Sequence, residues 1–335
     1  MVLLTGATGL LGRVLLMKLL EKGKKVRALR QSTSNIKEVE LSLKDYGFIL
    51  KAYEQSLEWV VADFQDVESL EKMLFGVEEV YHTAAVVSFD PSREDEVFSL
   101  NILGTKNLLY AMDSKKVDRL LFVSSIAVFD GLNSQNEIDE DSQFNPKMHH
   151  SAYARSKHFA EMEVFRAMAE GLQAVIINPG VIIGSGNWKR SSGQLFSSAL
   201  RIPFITSGIG SFVDVRDVAS IAVELMEKES FGEKYIVVSE NISYREFSNS
   251  IRKTYGIKEA KVISESITKL LFNILRFFSF LSPSLKNISK DSIAALFSKE
   301  IVSNRKVKEH LNYNFISVQE SIDFHLRNFK SSDNK

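Results

Sequence analysis

Val2-Leu3-Leu4-Thr5-Gly6-Ala7-Thr8-Gly9-Leu10-Leu11-Gly12-Arg13-Val14-Leu15-Leu16-Met17-Lys18-Leu19-Leu20 is the stretch whose reading decides the fold. Val2 to Leu4 form a short apolar run of strand type, and from Arg13 onward the apolar positions recur at helical spacing. Between the two lies a turn with glycine at positions 6, 9 and 12. A buried strand, a glycine-rich turn and an amphipathic helix in that order predict a dinucleotide-binding entry. Gly6 can take backbone angles closed to other residues, and Gly9 lets a pyrophosphate approach the chain. Gly12 lets the helix pack close on the sheet. The free N–H groups of the first helical turn and the helix dipole then face the phosphates.

Working outward, the 335 residues can bury a substantial core and imply one large domain or two intimately joined ones. Apolar content of 44% and charged content of 25% are those of an ordinary globular chain. Lys+Arg and Asp+Glu both number 42, so no net charge draws the chain to nucleic acid or to an anionic membrane. With no cysteine, disulfides, thiolate nucleophiles and thiolate metal sites are excluded. The first strand starts at residue 2, from which no leader peptide is expected and a cytoplasmic location is.

Strand-like runs recur at Lys25–Leu29, Leu57–Ala62, Glu79–Ala85, Arg119–Ser125 and Gln173–Asn178. Helical patterns lie between them, around Glu38–Asp45, Val67–Phe75, Asp95–Ser114 and Tyr153–Glu170. This alternation predicts an α/β fold with a doubly wound parallel sheet of Rossmann type. Beyond Pro179-Gly180 the rhythm breaks: a Gly/Ser-rich loop from Gly184 to Gly193 is followed by an apolar helix. A short strand, Phe212–Val215, a helix, Asp217–Lys228, and a strand, Lys234–Val238, then follow. The expected division is residues 1–183 plus 211–240 for the dinucleotide-binding domain. Residues 184–210 plus 241–335 are expected to form a smaller, mostly helical substrate-binding lobe.

The second informative stretch is Tyr153-Ala154-Arg155-Ser156-Lys157, where a spacing of four puts Tyr153 and Lys157 on one helix face. A phenol with its free pKa of about 10 is a poor proton shuttle at neutral pH. A neighbouring ammonium, helped by a positive nicotinamide ring, favours the phenolate and brings the group toward the working range. The same pair alone also fits an exposed Tyr and Lys on an amphipathic helix. The preceding dinucleotide pattern and the strand ending in Ser124-Ser125 favour the chemical reading.

Here the chain resembles the extended short-chain dehydrogenases/reductases, of the NAD-dependent epimerase/dehydratase type. The motifs are Thr5-Gly6-x-x-Gly9-x-x-Gly12, Asp63, His82-Thr83-Ala84-Ala85, Asn101, Ser124-Ser125, Tyr153-x-x-x-Lys157 and Asn178-Pro179-Gly180. The resemblance covers residues 1 to about 240 well and the remainder loosely. It implies that Tyr153 is the general acid/base and that Lys157 lowers its pKa and binds the nicotinamide ribose. Ser125 would hydrogen-bond the substrate oxygen, with Ser124 ranked second, and Asn101 matches the family's helix-kinking asparagine. Cofactor contacts are implied for Gly6, Thr8, Gly9, Leu10, Leu11 and Gly12, for Asp63 and Phe64, and for Ala84, Ala85 and Val86. Ser124, Tyr153, Lys157, Pro179, Gly180 and Val181 complete that set, and a homodimer through the Asn101 and Tyr153 helices is implied.

Arg30 ends the second strand, where NAD-preferring proteins carry an acid that accepts from the adenosine ribose. It is followed by Gln31 and Ser32, with no carboxylate nearby in sequence. An arginine can pair with a 2′-phosphate, so NADP(H) is the expected cofactor, with NAD(H) as the alternative. His149-His150 has no carboxylate or third histidine at metal spacing, and no metal site is expected. His82 reads as packed, and Asp214 and Asp217 as structural. The most apolar stretch, Ile267 to Leu281, holds Lys269 and Arg276 and is too short and too charged to span a bilayer. It reads as a helix packed on the substrate lobe, with a lipid-facing patch, a lid or an oligomer contact as alternatives.

The leading functional expectation is reduction of a ketone or aldehyde by a nicotinamide cofactor, with the proton from Tyr153. Val86, Val87 and Phe89 after the fourth strand suit a substrate with apolar bulk. A nucleotide-sugar epimerase or dehydratase retaining NAD is the second reading. It would need cations such as Lys189, Arg190 and Arg201 for a diphosphate. A non-catalytic nucleotide sensor is the third, and the intact Tyr153/Lys157 pair counts against it.

Overall fold

A computed structural model describes residues 1–88, 90–186, 193–268 and 296–333. Phe89, Lys189, Arg190 and all of the 267–281 stretch except Ile267 and Thr268 fall outside them, so the readings placed on those residues do too.

The quoted stretch folds as read. Strand β1 (Val2–Thr5) is wholly buried and leads through the glycine turn into helix α1 (Leu10–Glu21). The chain then alternates through β2 (Val26–Arg30), α2 (Ile36–Lys44), β3 (Leu57–Val61), α3 (Val67–Met73) and β4 (Glu79–His82). It continues with α4 (Glu94–Phe98), α5 (Thr105–Lys115), β5 (Arg119–Val123), a short β6 (Glu137–Ile138) and α6 (Ala152–Ala169). Strands β7 (Gln173–Pro179) and β8 (Val181–Ile183) follow, then α7 (Gly193–Arg201), β9 (Phe204–Ile205), β10 (Ile209–Asp214) and α8 (Val215–Glu227). The remaining described elements are β11 (Lys234–Val237), β12 (Glu240–Ser243), α9 (Tyr244–Thr254), β13 (Lys261–Val262), β14 (Ile301–Val302), α10 (Arg305–Leu311) and α11 (Val318–Asp333).

Seven strands form one parallel sheet in the order β11-β7-β5-β4-β1-β2-β3. The order reverses between β1 and β4, and a crevice outside the carboxyl ends of strands is expected at such a switch point. Both faces of the sheet are covered, which is why its central strands read as continuous apolar runs. One face packs against α1 and α8 through Val14, Leu15, Val218 and Ala222, the other against α3, α5 and α6 through Leu70, Leu108 and Ala160.

Three features depart from the sequence reading. The helix expected over Asp95–Ser114 is two helices joined by a wider, π-type turn at Ser99–Gly104 that contains Asn101. The apolar run after Gln173 does not stop at Asn178: it breaks only at Gly180 and resumes as β8. A side chain at 180 would come within 2.3 Å of the Ser211 carbonyl oxygen, which explains the glycine. Finally, β8, β10 and β12 make a second, three-stranded sheet, with β10 antiparallel to β12 and parallel to β8. Over it lies a separate apolar cluster that includes Phe196, Phe212, Phe247, Ile322 and Leu326. β12 was invisible in sequence because Glu240-Asn241-Ile242-Ser243 is polar.

Candidate active site

The glycine turn is built on space. Gly6 has φ +68°, and a Cβ there would lie 2.7 Å from the Ala84 nitrogen. A Cβ on Gly12 would lie 2.0 Å from the Gly6 carbonyl oxygen, so α1 approaches the turn as closely as backbone allows. Beside this turn, at the carboxyl ends of β1 to β4, opens a cavity of about 950 Å³. Gly6, Thr8, Gly9, Leu10, Arg30, Asp63, Phe64, Ala84 and Ala85, all singled out in sequence, line it. Leu11 and Gly12 instead pack beneath the turn.

Two guanidinium groups give this cavity an unmet hydrogen-bonding capacity. Arg30 Nη1 donates to the Gln31 and Ser32 carbonyls at 3.2 and 3.4 Å, while its Nε is buried without a partner among the described residues. Arg13, which sequence reading missed, is only 4% exposed and donates to the Thr8 carbonyl at 2.7 Å and the Gly9 carbonyl at 3.1 Å. Its Nη1 has no partner among the described residues, and burial pulls its pKa down from the ordinary arginine value. The only sequence signal was a cation among the apolar residues of α1, four after Gly9. Glu38 also lines the cavity, 3.5 Å from Arg13 Nη2. The absence of a nearby carboxylate therefore holds for the sequence neighbourhood of Arg30 but not for the space around it. The residues present fit a dinucleotide: a turn open to a close approach, exposed N–H groups at a helix start, and unsatisfied cationic donors.

At the carboxyl ends of β5 and β7 the remaining singled-out residues come together. The Tyr153 phenol hydrogen-bonds the Ser125 side chain. Ser125 caps the following turn, its Oγ accepting from the Ala127 N–H at 3.2 Å. Ser124 turns the other way: its hydroxyl donates to Glu161 Oε2 at 2.8 Å, and it is buried. Strand alternation separates the two serines, and the fold gives Tyr153 the second. Lys157 Nζ donates to the Val123 carbonyl at 2.7 Å, and burial lowers its pKa to about 8 while Glu161 opposes the fall. Burial also pushes the Tyr153 phenol above its ordinary value, against the hydrogen bond from Ser125.

Asn101 is used structurally. Its Oδ1 accepts from Val86 N–H at 2.8 Å, and its Nδ2 donates to the Val86 carbonyl and to Ser156 Oγ, both at 2.9 Å. Thr105 donates to the Asn101 carbonyl at 2.7 Å, so its oxygen accepts from His82 Nε2 at 3.0 Å. His82 Nδ1 then accepts from Thr5 Oγ at 2.7 Å. Burial holds this imidazole neutral, with its pKa lowered to about 3. His82 is packed, as expected, and ties the end of β1 to the π-type turn. Asp214 caps α8 and pairs with Arg216, and Asp217 accepts from Tyr313 and the Ile316 N–H, so both act within the fold. His150 stacks on Phe144 and lies 3.3 Å from Asp130.

Pro179 and Val181 flank Gly180 where the two sheets part. Asn178 Nδ2 donates to the Ser125 carbonyl at 3.2 Å, and its Oδ1 is buried without a partner among the described residues.

Comparison with known proteins agrees with this geometry. Residues 2–239 match the model of the NAD dependent epimerase/dehydratase family. Sterol demethylase protein B of Methylococcus capsulatus is 32% identical over 242 residues, covering 71% of this chain and 70% of that protein. A putative dihydroflavonol 4-reductase of Synechocystis is 30% identical over 247 residues, 71% of this chain and 68% of its own. Among solved structures, that of gox2253 superposes with a TM-score of 0.82 at 25% identity, over 99% of this chain and 98% of that one.

Proposed function

We propose, from the premise that the chain belongs to the NAD-dependent epimerase/dehydratase family of extended short-chain dehydrogenases/reductases, that it reduces the carbonyl of an apolar ketone or aldehyde. The observation that carries the reading is the Ser125–Tyr153 hydrogen bond, with Lys157 one helical turn beyond the phenol. A reduced nicotinamide, when bound, supplies the hydride. The chain's own residues then have three tasks: Ser125 holds the carbonyl oxygen, Tyr153 gives that oxygen a proton, and Lys157 keeps positive charge beside the phenolate left behind. The glycine turn, Asp63, Phe64, Ala84, Ala85 and the Pro179–Val181 ledge hold the cofactor in this reading, and Asn101 fixes the Val86 backbone beside it.

NADP(H) is the preferred cofactor in our reading. Arg30 has a buried Nε without a partner among the described residues, as an anionic ligand would require, and Arg13 neutralises the nearby Glu38. Apolar bulk in the substrate is supported by Val87, 56% exposed after β4, and by the sterol and dihydroflavonol named for the relatives. The substrate lobe is assigned to residues 184–210 plus 241–335. A homodimer through α5 and α6 is favoured by the outward apolar side chains of Tyr110, Phe159 and Met162 on those helices.

The test follows the absorbance of NADPH, with NADH in parallel, against a panel of apolar aldehydes and ketones. Consumption of NADPH in preference to NADH, with an alcohol as product, is expected. No consumption with any carbonyl, together with NAD co-purifying with the protein, would overturn the reading in favour of sugar-nucleotide epimerisation.

A further inference from the structure

Glu161 is a buried acid that the sequence does not distinguish from the exposed charges of α6. It follows Tyr153 and Lys157 at steps of four residues, on the same helix face, and is 2% exposed. Its Oε2 accepts from Ser124 Oγ at 2.8 Å and from Asn178 Nδ2 at 3.4 Å. Asn178 Nδ2 also reaches the Ser125 carbonyl, while Lys157 holds the Val123 carbonyl just before Ser124. Glu161 thus joins the ends of β5 and β7 directly behind the Ser125–Tyr153 pair. A carboxylate survives in such a place only when it is paired and hydrogen-bonded.

The charged groups that face it are Lys157 from its own helix and Lys234 from β11. The ends of β5 and β7 present the neutral donors Ser124 and Asn178. Burial raises the pKa of Glu161, and the two donors and two cations oppose that rise.

We propose that Glu161 is a positioning residue that acts as the buried counter-charge of Lys157 and fixes Ser125 through the β5–β7 junction. The inference rests on the carbonyl-reductase reading of the same site. A negative charge favours a nearby ammonium. Reduction needs the phenol proton and the ammonium together, so Glu161 carries activity to higher pH.

Glu161→Gln removes the charge and keeps an acceptor for Ser124. The alkaline limb of kcat/KM for NADPH-dependent reduction is expected to move down by about 1 pH unit. NADPH affinity at pH 6 should stay unchanged. Glu161→Asp, which restores a carboxylate, should return the limb to its wild-type position even if the rate is lower. A wild-type limb in Glu161→Gln, whatever its rate, would overturn the proposal, as would a displaced limb in Glu161→Asp. A second readout needs no substrate: NADPH affinity against pH, whose alkaline fall reports loss of the Lys157 ammonium expected at the nicotinamide ribose. If no carbonyl is turned over but that fall still moves down in Glu161→Gln, the reductase reading fails and the counter-charge stands. If carbonyls are reduced and neither the limb nor the affinity profile moves, the counter-charge fails alone.

Discussion

The two ends of the main sheet's ligand-facing edge are built on different principles. Around β1 and α1 the design is steric: Gly6 and Gly12 leave less than a side chain's width between turn, helix and Ala84. Around β5, β7 and α6 it is a set of polar side chains, Tyr153 to Ser125, Ser124 and Asn178 to Glu161, and Lys157 to the Val123 carbonyl. Damage to the first should show as lost binding and stability, and damage to the second as altered chemistry and pH dependence with the fold intact.

The strongest way to break this contrast is Gly12→Ala. Its Cβ would sit 2.0 Å from the Gly6 oxygen, a backbone atom that can yield only if α1 moves away. We expect a loss of about 1–3 kcal/mol in stability together with loss of NADPH binding, checked by thermal melts and fluorescence titration. Normal affinity in this variant would mean that the turn is looser than described. Next in size is Arg30→Ala. If its guanidinium holds a 2′-phosphate, NADPH affinity should fall about 10–100-fold, the worth of a charge-assisted hydrogen bond, while NADH affinity barely changes. Equal losses for both cofactors would leave Arg30 a role in the fold alone.

A smaller effect, away from both ends, tests whether buried acids elsewhere are coupled to pH. Burial raises the Asp217 carboxyl from its ordinary value to about 7. A carboxyl whose folded pKa lies above its unfolded value contributes most at low pH, and its contribution is lost as pH rises from about 4 to about 7. Asp217→Asn should therefore be relatively less stable than wild type near pH 4 and gain on it steadily toward pH 7. Thermal melts across that range measure the difference, and a constant difference would contradict the sign.

The steric end was legible in sequence because space is encoded by residue type. A glycine at 6, 9 and 12 between an apolar run and an amphipathic helix has few other uses, and the sheet strands follow from their apolar runs. Much of the polar end was legible too, since the four-residue step from Tyr153 to Lys157 fixes a shared face. What was hidden is what the fold alone brings together. Glu161 and Arg13 look like solvated charges until β5 and β7, or the glycine turn, close over them. Alternation says that Ser124 and Ser125 face opposite ways, but which one meets Tyr153 depends on where α6 packs. The strand at Phe212–Val215 was legible like the others, but its polar neighbour β12 hides the small sheet on which Phe212 stacks against Phe247 at 4.6 Å.

The most direct test of the whole account measures both ends in one variant. Tyr153→Phe removes the phenol oxygen and leaves the glycine turn untouched, so NADPH affinity and single-turnover hydride transfer can be compared with wild type. The account predicts affinity within a few-fold of wild type and transfer slowed about 10²–10⁴-fold, the usual share of a positioned proton donor. Affinity and transfer falling together, or transfer surviving, would contradict it.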